Sequence, residues 1–495
     1  MPPKSKSRRA ASHIGLYSIG TIVRQVVGFL MLPIYTRYLS PADYGIVAML
    51  TLMLSVFELV VGARFAQAIP KFYYEHDEQA RRFAVVATAL FVTVAMSAVG
   101  SLAIYGFAES LAEIFLADQT LWLFVAAFGL TLMTTAMENY GLIFMRLRDK
   151  PVLFLAFSLA KLFCSLVLNI YLVVILEMGV AGVVISTVGV SLLFALLASG
   201  YILSRTGFHF EMPTAKRLLI FSWPLWVAGS AGVYSSFVNR FLLRYFGDLA
   251  EVGLYDLAGR FAALIGVLVW LPFNQWWQTE RFSLLRNDDG GKPVFRAVFT
   301  LISAMLVFVC CGISLFADVV IKIMAAPEFY PASQAVPALT FAVAFERMST
   351  FQNFSFFVSE KTKFVAVIKY ASAFGLSIAY FAAIPVFGFV GAAYATLTVA
   401  IAIFGLTNYL AIRAFDTSIR VIRVGKFVVI GAIVSIGGNY LLSSLPLVTS
   451  LLLKSALMLV TGALFYLVLR SNAETREKFL ELERFVMRKI RSRNA

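Results

Sequence analysis

Long apolar segments run through the whole chain and set the strongest constraint on its fold. A helix that crosses a bilayer needs about 20 mostly apolar residues, and about fourteen segments meet that length. They lie at 13–36, 43–68, 83–107, 119–144, 151–176, 180–203, 217–243, 250–274, 294–317, 333–358, 363–386, 389–413, 423–444 and 446–470. The runs are continuous and lack the short alternation of barrel strands. The sequence therefore predicts an all-α integral membrane protein.

The positions of the positive charges predict how these spans are oriented. If alternate connections share one side with both termini, that side holds about three quarters of the 42 Lys and Arg residues. The opposite side keeps only Arg37, Arg244 and Lys322. Because cytoplasmic loops carry the excess of positive charge, both termini are predicted to be cytoplasmic. This placement accounts for the net charge of +15 without a nucleic-acid partner.

The first twelve predicted spans form two sets with related motifs. The turn 37–45 (RYLSPADYG) recurs as 244–253 (RYFGDLAEVG), and 179–182 (GVAG) recurs as 388–391 (GFVG). Each set has an even number of spans, so both enter the membrane in the same direction, as in transporters with parallel repeats. The predicted parts are a basic N-terminus (1–12), an N-lobe (13–204), a linker (205–216), a C-lobe (217–414), two extra spans (423–470) and a tail (471–495).

The tail combines apolar and basic residues in a helical pattern. Phe479, Leu482, Val486 and Ile490 fall on one face among Lys and Arg residues. This pattern predicts a basic amphipathic helix on the anionic lipid of the cytoplasmic surface. A solvated charged tail remains the alternative.

Basic residues inside the predicted spans are the main functional signal. Each costs about 2.5–3.5 kcal/mol at a helix centre, so a group of them needs polar surroundings. The basic residues are Arg24, Arg64, Lys161, Arg240, Arg260, Arg347, Lys369 and Lys454, and the acidic ones are Glu58, Glu138, Asp256 and Glu346. Arg24, Arg260 and Arg347 lie close to the predicted midplane, roughly 15 Å from an interface. Arg64 and Arg240 lie near helix ends, where their side chains can reach water.

One interpretation of these charges is a set of structural ion pairs within each lobe. Glu138 and Lys161 have the same separation in the sequence as Glu346 and Lys369. Asp256 and Arg260 are one helical turn apart, which places them on one face of a helix. Such pairs would lower the cost of the buried charges without any ligand.

The other interpretation is a cavity that binds an anion. Positive charges outnumber negative ones in the spans, and Arg24 and Arg347 have no obvious local partner beyond Glu346. Guanidinium groups suit phosphate oxygens, and membrane potential favours outward movement of an anion. Coupling to Na⁺ or H⁺ through Glu58, Glu138 or Asp256 stays open. No cofactor is predicted, and the scattered Cys and His residues predict no metal site.

The first outer turn carries a resemblance to a known family. The segment 32–45 (LPIYTRYLSPADYG) resembles the N-terminal signature of polysaccharide-biosynthesis flippases, in the multidrug/oligosaccharidyl-lipid/polysaccharide (MOP) superfamily. Its marked residues are Pro33, Arg37, Tyr38, Pro41, Asp43 and Gly45. We interpret the segment chiefly as a turn, in which Asp43 caps the second span and the tyrosines lie at the interface.

The resemblance implies a V-shaped pair of six-helix lobes that exposes a central cavity alternately to the two sides of a bacterial inner membrane. It implies transport rather than catalysis. The implied cargo is an undecaprenyl-diphosphate-linked repeat unit for O-antigen, capsule or exopolysaccharide, and other polysaccharide assembly proteins are implied partners. By position, Arg24, Arg260 and Arg347 are the nearest matches to the cationic residues of that cavity, with Lys161 and Lys369 beside them.

Two other functions compete with this expectation. A Na⁺- or H⁺-coupled drug or metabolite exporter of the same superfamily would favour an acidic cavity. In this chain, basic residues outnumber acidic residues within the predicted spans. A membrane polysaccharide polymerase or ligase would need a substantial outer loop for its chemistry. The longest predicted outer connection runs only from Asp318 to Pro331 and contains no histidine.

Overall fold

The computed structural model describes residues 29, 31–61, 65–281, 292–415, 417, 419, 421–442 and 445–471. Within these residues the chain is helical and contains no strand, which confirms the predicted all-α class. The α-helices are α1 (Leu32–Tyr38), α2 (Pro41–Val61), α3 (Ala68–Glu75), α4 (Gln79–Gly106), α5 (Ala108–Leu116), α6 (Trp122–Gly129), α7 (Thr131–Leu147), α8 (Pro151–Asn169), α9 (Gly179–Thr206), α10 (Met212–Phe246), α11 (Leu249–Ile265), α12 (Leu271–Glu280), α13 (Lys292–Met324), α14 (Val336–Gln352), α15 (Phe354–Val358), α16 (Lys363–Ala414), α17 (Val421–Leu442) and α18 (Leu447–Arg470).

Short segments of other helix types join some of these elements. Turns of 3₁₀-helix occupy Gln119–Leu121 and Pro327–Gln334. Segments of π-helix extend α8 through Ile170–Ile175 and join α11 to α12 through Gly266–Trp270. Because these segments continue neighbouring helices, some candidate spans are longer than the α-helices that they contain.

Ten helices of the described residues are long and apolar enough to cross a membrane. An eleventh candidate is α10, which contains Pro224 and is bent by 57° between Met212–Pro224 and Gly229–Phe246. The chain is therefore a multi-pass membrane protein, although the predicted number of fourteen spans is not confirmed.

The difference from fourteen has identifiable sources. Most of the predicted span 13–36 lies outside the described residues. The α14 helix has only 17 residues, fewer than a full crossing normally needs. The predicted spans 363–386 and 389–413 form one continuous element, α16, with 52 residues.

The α16 helix is a hairpin of two antiparallel segments rather than one straight rod. The hydroxyl groups of Tyr380 and Thr396 are 2.9 Å apart, whereas sixteen residues of straight helix would separate them by about 24 Å. Gly388, between them, has φ +55° and ψ −139°, which breaks the helix. The two predicted spans therefore exist, and the break at Gly388 marks the turn between them.

The same turn geometry occurs in the related motif of the first set. Gly179 has φ +54° and Gly388 has φ +55°, a conformation that L side chains rarely adopt. Three residues later, a Cβ atom on Gly182 would lie 3.1 Å from the Leu172 backbone, and one on Gly391 would lie 2.5 Å from the Ala383 carbonyl oxygen. Both motifs thus fold the chain back tightly on the preceding helix, which supports the repeat seen in the sequence.

Replacement of Gly388 by alanine should destabilise the hairpin. A non-glycine residue in this backbone region costs about 1–3 kcal/mol, so we expect a lower unfolding midpoint in detergent. Gly405→Ala on the same element is the control, because a Cβ there meets no atom within 4 Å. An unchanged midpoint for Gly388→Ala would contradict the strained turn.

The chain divides into two compact units, Met1–Gly253 and Leu254–Ala495. The core of the first unit packs aromatic and aliphatic residues of α3, α4, α7 and α9, with Phe65, Phe144 and Ile202 fully buried. The core of the second unit is rich in aromatic rings, and Trp277 stacks on Phe351 with ring centroids 4.9 Å apart.

Candidate functional site

The charges of the first unit meet between α7 and α8. Lys161 on α8 donates a hydrogen bond to the carboxylate of Glu138 on α7. Only 8% of the Glu138 side chain is exposed, whereas 33% of the Lys161 side chain remains accessible. The two residues expected from the sequence to pair are therefore in contact, and the ammonium group is only partly covered.

The related residues of the second unit are arranged differently. Glu346 is exposed, and its carboxylate lies 3.8 Å from the guanidinium of Arg347, the next residue on α14. Lys369 on α16 is exposed and forms no ion pair with any described residue. The Glu346–Lys369 pair expected from equal spacing is therefore not formed. Because Glu346 lies on an exposed face of its helix, it does not face the core as Glu138 does.

Asp256 and Arg260 form a contact along one face of α11. The Nε atom of Arg260 lies 3.4 Å from the Asp256 carboxylate, which is almost fully buried. The Arg260 side chain is 46% exposed, so part of the guanidinium remains accessible. This helical pair orients the guanidinium without covering it.

A buried ion pair in the second unit was missed by the sequence analysis. Lys454 on α18 is 0% exposed and its Nζ donates to Asp318 on α13 at 2.5 Å. Asn439 on α17 lies 3.4 Å from the same Nζ, and its amide donates to the carbonyl oxygen of Ser314. Asp318 had been assigned to an outer loop, whereas α13 continues to Met324 and carries it inside the helix. This network joins the last two helices to α13.

The signature turn forms a capping box at the start of α2. The Ser40 backbone N–H and hydroxyl both donate to the Asp43 carboxylate, and the Asp43 backbone N–H donates back to the Ser40 hydroxyl. Ser40 is thus the N-cap and Asp43 closes the box from the third helical position, a refinement of the expected cap. Tyr38 is half exposed, whereas Tyr44 is buried within the protein.

The other residues of the signature lie at helix ends. These are Pro33, Arg37 and Pro41. Pro33 lies in the first turn of α1 and Pro41 begins α2, where the missing N–H of proline costs no helical hydrogen bond. Arg37 is exposed in the last turn of α1. The signature therefore builds two helix starts and the turn between them.

The glycines of the two repeated turns contact each other within the first unit. A Cβ atom on Gly45 would lie 1.8 Å from the carbonyl oxygen of Leu249, and one on Gly253 would lie 2.0 Å from that of Pro41. Each glycine therefore faces the carbonyl four residues before the other. This reciprocal arrangement lets the first turn of α11 cross α2 with the two backbones in direct contact.

An ion pair joins α3 to the start of α10. Arg217 donates to the Glu75 carboxylate at 2.6 Å, and the Lys71 ammonium lies 4.1 Å from the Phe221 ring centroid. The hydrogen bond from Arg217 lowers the pKa of Glu75 below its ordinary value. Because both side chains are substantially exposed, the pair contributes little to stability.

Some predicted residues lie outside the part of the chain that the structure describes. These are Arg24, Arg64 and the tail beyond Ser471. Glu58, in contrast, lies near the end of α2 and lines a cavity of the first unit. Among the described residues, no group of three or more His, Cys, Asp and Glu side chains is arranged to hold a metal ion.

Comparison with known proteins gives the family of the chain. Residues 34–334 match the family model described as "Polysaccharide biosynthesis protein". No curated protein matches the sequence. The match covers most of the chain, including the signature turn and the charged helices α7, α8 and α11.

Solved structures share the fold at low sequence identity. The lipid II flippase MurJ in an inward closed conformation has a TM-score of 0.69 and 15% identity, covering 91% of this chain and 98% of that one. An inward-facing multidrug resistance MATE family transporter of the MOP superfamily has a TM-score of 0.64 and 15% identity, covering 80% and 96%. A MATE structure in the straight conformation has a TM-score of 0.52 and 14% identity, covering 82% and 96%. These similarities establish a MOP-type fold.

Proposed function

Because the chain belongs to the polysaccharide biosynthesis protein family, we propose that it is a flippase for lipid-linked oligosaccharides. It moves undecaprenyl-diphosphate-linked repeat units from the cytoplasmic to the periplasmic leaflet by alternating access. The glycan then enters O-antigen, capsule or exopolysaccharide synthesis. The protein lies in a bacterial inner membrane with both termini in the cytoplasm, and it transports its substrate without catalysing a reaction.

Accessible cationic side chains within the helices carry this proposal. Arg260 is 46% exposed and Arg347 is 30% exposed, although each is accompanied by a carboxylate. The Nε–H of Arg347 is buried and has no acceptor among the described residues. A guanidinium with donors left over is suited to an anion with several oxygen atoms, and a diphosphate is such an anion.

The proposed cargo also agrees with the membrane potential. Moving one charge through 100 mV is worth about 2.3 kcal/mol, so outward movement of a diphosphate from a negative cytoplasm is favourable. Coupling to Na⁺ or H⁺ is the alternative driving force, with Glu58, Glu138 or Asp256 as its acidic group. Neither of these driving forces requires a cofactor.

The proposed partners follow from charge and location. The lipid-linked oligosaccharide is the substrate, and anionic lipid binds the basic tail 471–495. Other polysaccharide assembly proteins receive the repeat unit on the outer side. Nucleic acid is not a partner, because the positive charge is concentrated at the predicted cytoplasmic loops.

Deletion of the gene tests the proposed function. We expect loss of surface polysaccharide and accumulation of lipid-linked repeat units on the cytoplasmic face. Normal polysaccharide with altered drug tolerance would instead support a drug exporter. Cysteines placed at the exposed positions 119 and 328 should react with a membrane-impermeant reagent from outside, whereas one at 148 should react only after the cytoplasm is opened.

Complementation tests the proposed cationic residues. Arg260→Ala and Arg347→Ala, and Arg24→Ala on sequence grounds, should each reduce rescue of surface polysaccharide at least tenfold, because each removes a bidentate donor for the diphosphate. Arg413→Ala is the control, since Arg413 lies over the Tyr409 ring at the end of α16. Membrane levels are measured by immunoblot. Full rescue by the three variants would remove these residues from the substrate site.

A further inference from the structure

A polar groove lies inside the first unit, apart from the cationic residues discussed above. Its volume is about 360 Å³, within the range of small-molecule sites. It is bordered by α2, α4 and α7, and the polar side chains among its described lining residues are Glu58, Ser97, Asn139, Tyr140 and Arg146. Apolar side chains, including Leu132 and Ile143, complete its walls.

The shape of the groove follows from the residues that α7 contributes. Leu132, Ala136, Asn139, Ile143 and Arg146 line it at spacings of three and four residues, so they form one stripe along the helix. Fourteen residues of α-helix separate the two ends of this stripe by about 21 Å. The groove is therefore elongated and suits an extended ligand better than a single ion.

The hydrogen-bonding groups of the groove have unused capacity. Asn139 is exposed to the groove and its amide has no hydrogen-bond partner among the described residues. The Ser97 hydroxyl also has no hydrogen-bond partner among the described residues, although Ser97 is buried. An amide and a hydroxyl each offer both donors and acceptors. Such groups recognise a ligand that also carries both, as sugar hydroxyls do.

The charges of the groove argue against the other common ligands. Among the lining residues that the structure describes, Glu58 supplies one negative group and Arg146 supplies one positive group. The carboxylate disfavours a phosphate, and the guanidinium disfavours a metal cation. The apolar side chains between them can cover the non-polar faces of sugar rings. A neutral or zwitterionic, hydroxyl-rich and elongated molecule fits all of these features.

We propose that this groove binds the sugar residues of the lipid-linked substrate, as a subsite separate from the cations that bind the diphosphate. This inference rests on the proposed flippase function and adds the position at which the glycan is held. Arg146 lies in the last turn of α7, at the predicted cytoplasmic end, so the glycan enters the groove from the side on which it is made.

Binding measurements on the full chain in lipid nanodiscs test the subsite. One ligand is undecaprenyl diphosphate without sugar, and the other is the lipid-linked repeat unit that accumulates in the deletion strain. The wild-type protein should bind the sugar-bearing lipid at least tenfold more tightly than the bare lipid. Asn139→Leu, which removes the amide, and Ala136→Leu, which fills the groove, should each remove about tenfold of this preference.

The controls separate the subsite from folding and from the proposed function. Ala156→Leu places the same side chain on the exposed face of α8, outside the groove, and should keep the preference. Both groove variants should still bind the bare lipid as the wild type does, which shows that they fold. Equal wild-type affinity for the two lipids, or an unchanged preference in both groove variants, would overturn the subsite alone. A wild-type protein that binds neither lipid would overturn the flippase proposal and this inference with it.

Discussion

Replacing Lys454 by alanine is expected to lower the free energy of unfolding by about 3–5 kcal/mol, because it leaves the Asp318 carboxylate in the core without its cation. Lys454 is 0% exposed, and its partner on α13 lies at 2.5 Å. Water cannot replace the ammonium group without opening the packing between α13 and α18. Unfolding followed by tryptophan fluorescence in detergent would measure the loss.

Two further variants define the cause of this loss. Lys322→Ala removes an exposed lysine from the same helix as Asp318 and should leave stability nearly unchanged. The double variant Lys454→Met, Asp318→Leu should recover most of the loss, because replacing a buried ion pair by apolar residues is often neutral or stabilising. If Lys454→Ala were as stable as the wild type, the pair would have no role in holding α18.

Larger side chains at Gly45 or Gly253 are expected to disrupt the contact between α2 and the first turn of α11. Even an alanine Cβ would lie 1.8 Å or 2.0 Å from a backbone carbonyl oxygen, and a helical backbone cannot move away as a flexible side chain can. Overpacking of this kind typically costs about 1–3 kcal/mol for alanine, and leucine should cost more. We expect Gly253→Leu to be poorly folded and largely absent from the membrane.

Gly259→Ala provides the matched control for this crossing. It lies on the same helix as Gly253, and a Cβ there meets no atom within 4 Å. Alanine has the higher helix propensity, so this variant should be as stable as the wild type or up to about 1 kcal/mol more stable. The comparison needs only the amount of folded protein and its unfolding midpoint. Equal behaviour of Gly253→Ala and Gly259→Ala would contradict the close backbone contact.

The repeated turns show how far sequence comparison could reach. The similarity of the segments 37–45 and 244–253 was visible without a structure, and it singled out Gly45 and Gly253 as related positions. Their mutual contact was not visible, because two helix starts about 200 residues apart can be placed in many ways by the same local pattern. Only the folded backbone brings each glycine against the carbonyl oxygen that lies four residues before the other glycine.

The charged residues also separate what the sequence could predict from what only the structure showed. Equal spacing of Glu138–Lys161 and Glu346–Lys369 suggested two similar pairs, but only the first is formed. Spacing along the chain does not specify which face of a helix is buried, and Glu346 lies on an exposed face. Asp318 was missed because the charge at the end of an apolar run resembles a loop residue, although α13 continues six residues beyond it.

The sequence by itself determined the membrane location, the helical class, the repeated turn motifs and the family, because each depends on local properties. Hydrophobic length, turn residues and charge position are all read along the chain without knowing which helices touch. The tertiary structure alone decided the ion pair of Lys454 with Asp318, the crossing at Gly45 and Gly253, and the groove beside Asn139. These features join helices distant in sequence, and their energies depend on burial and distance, which a one-dimensional pattern does not contain.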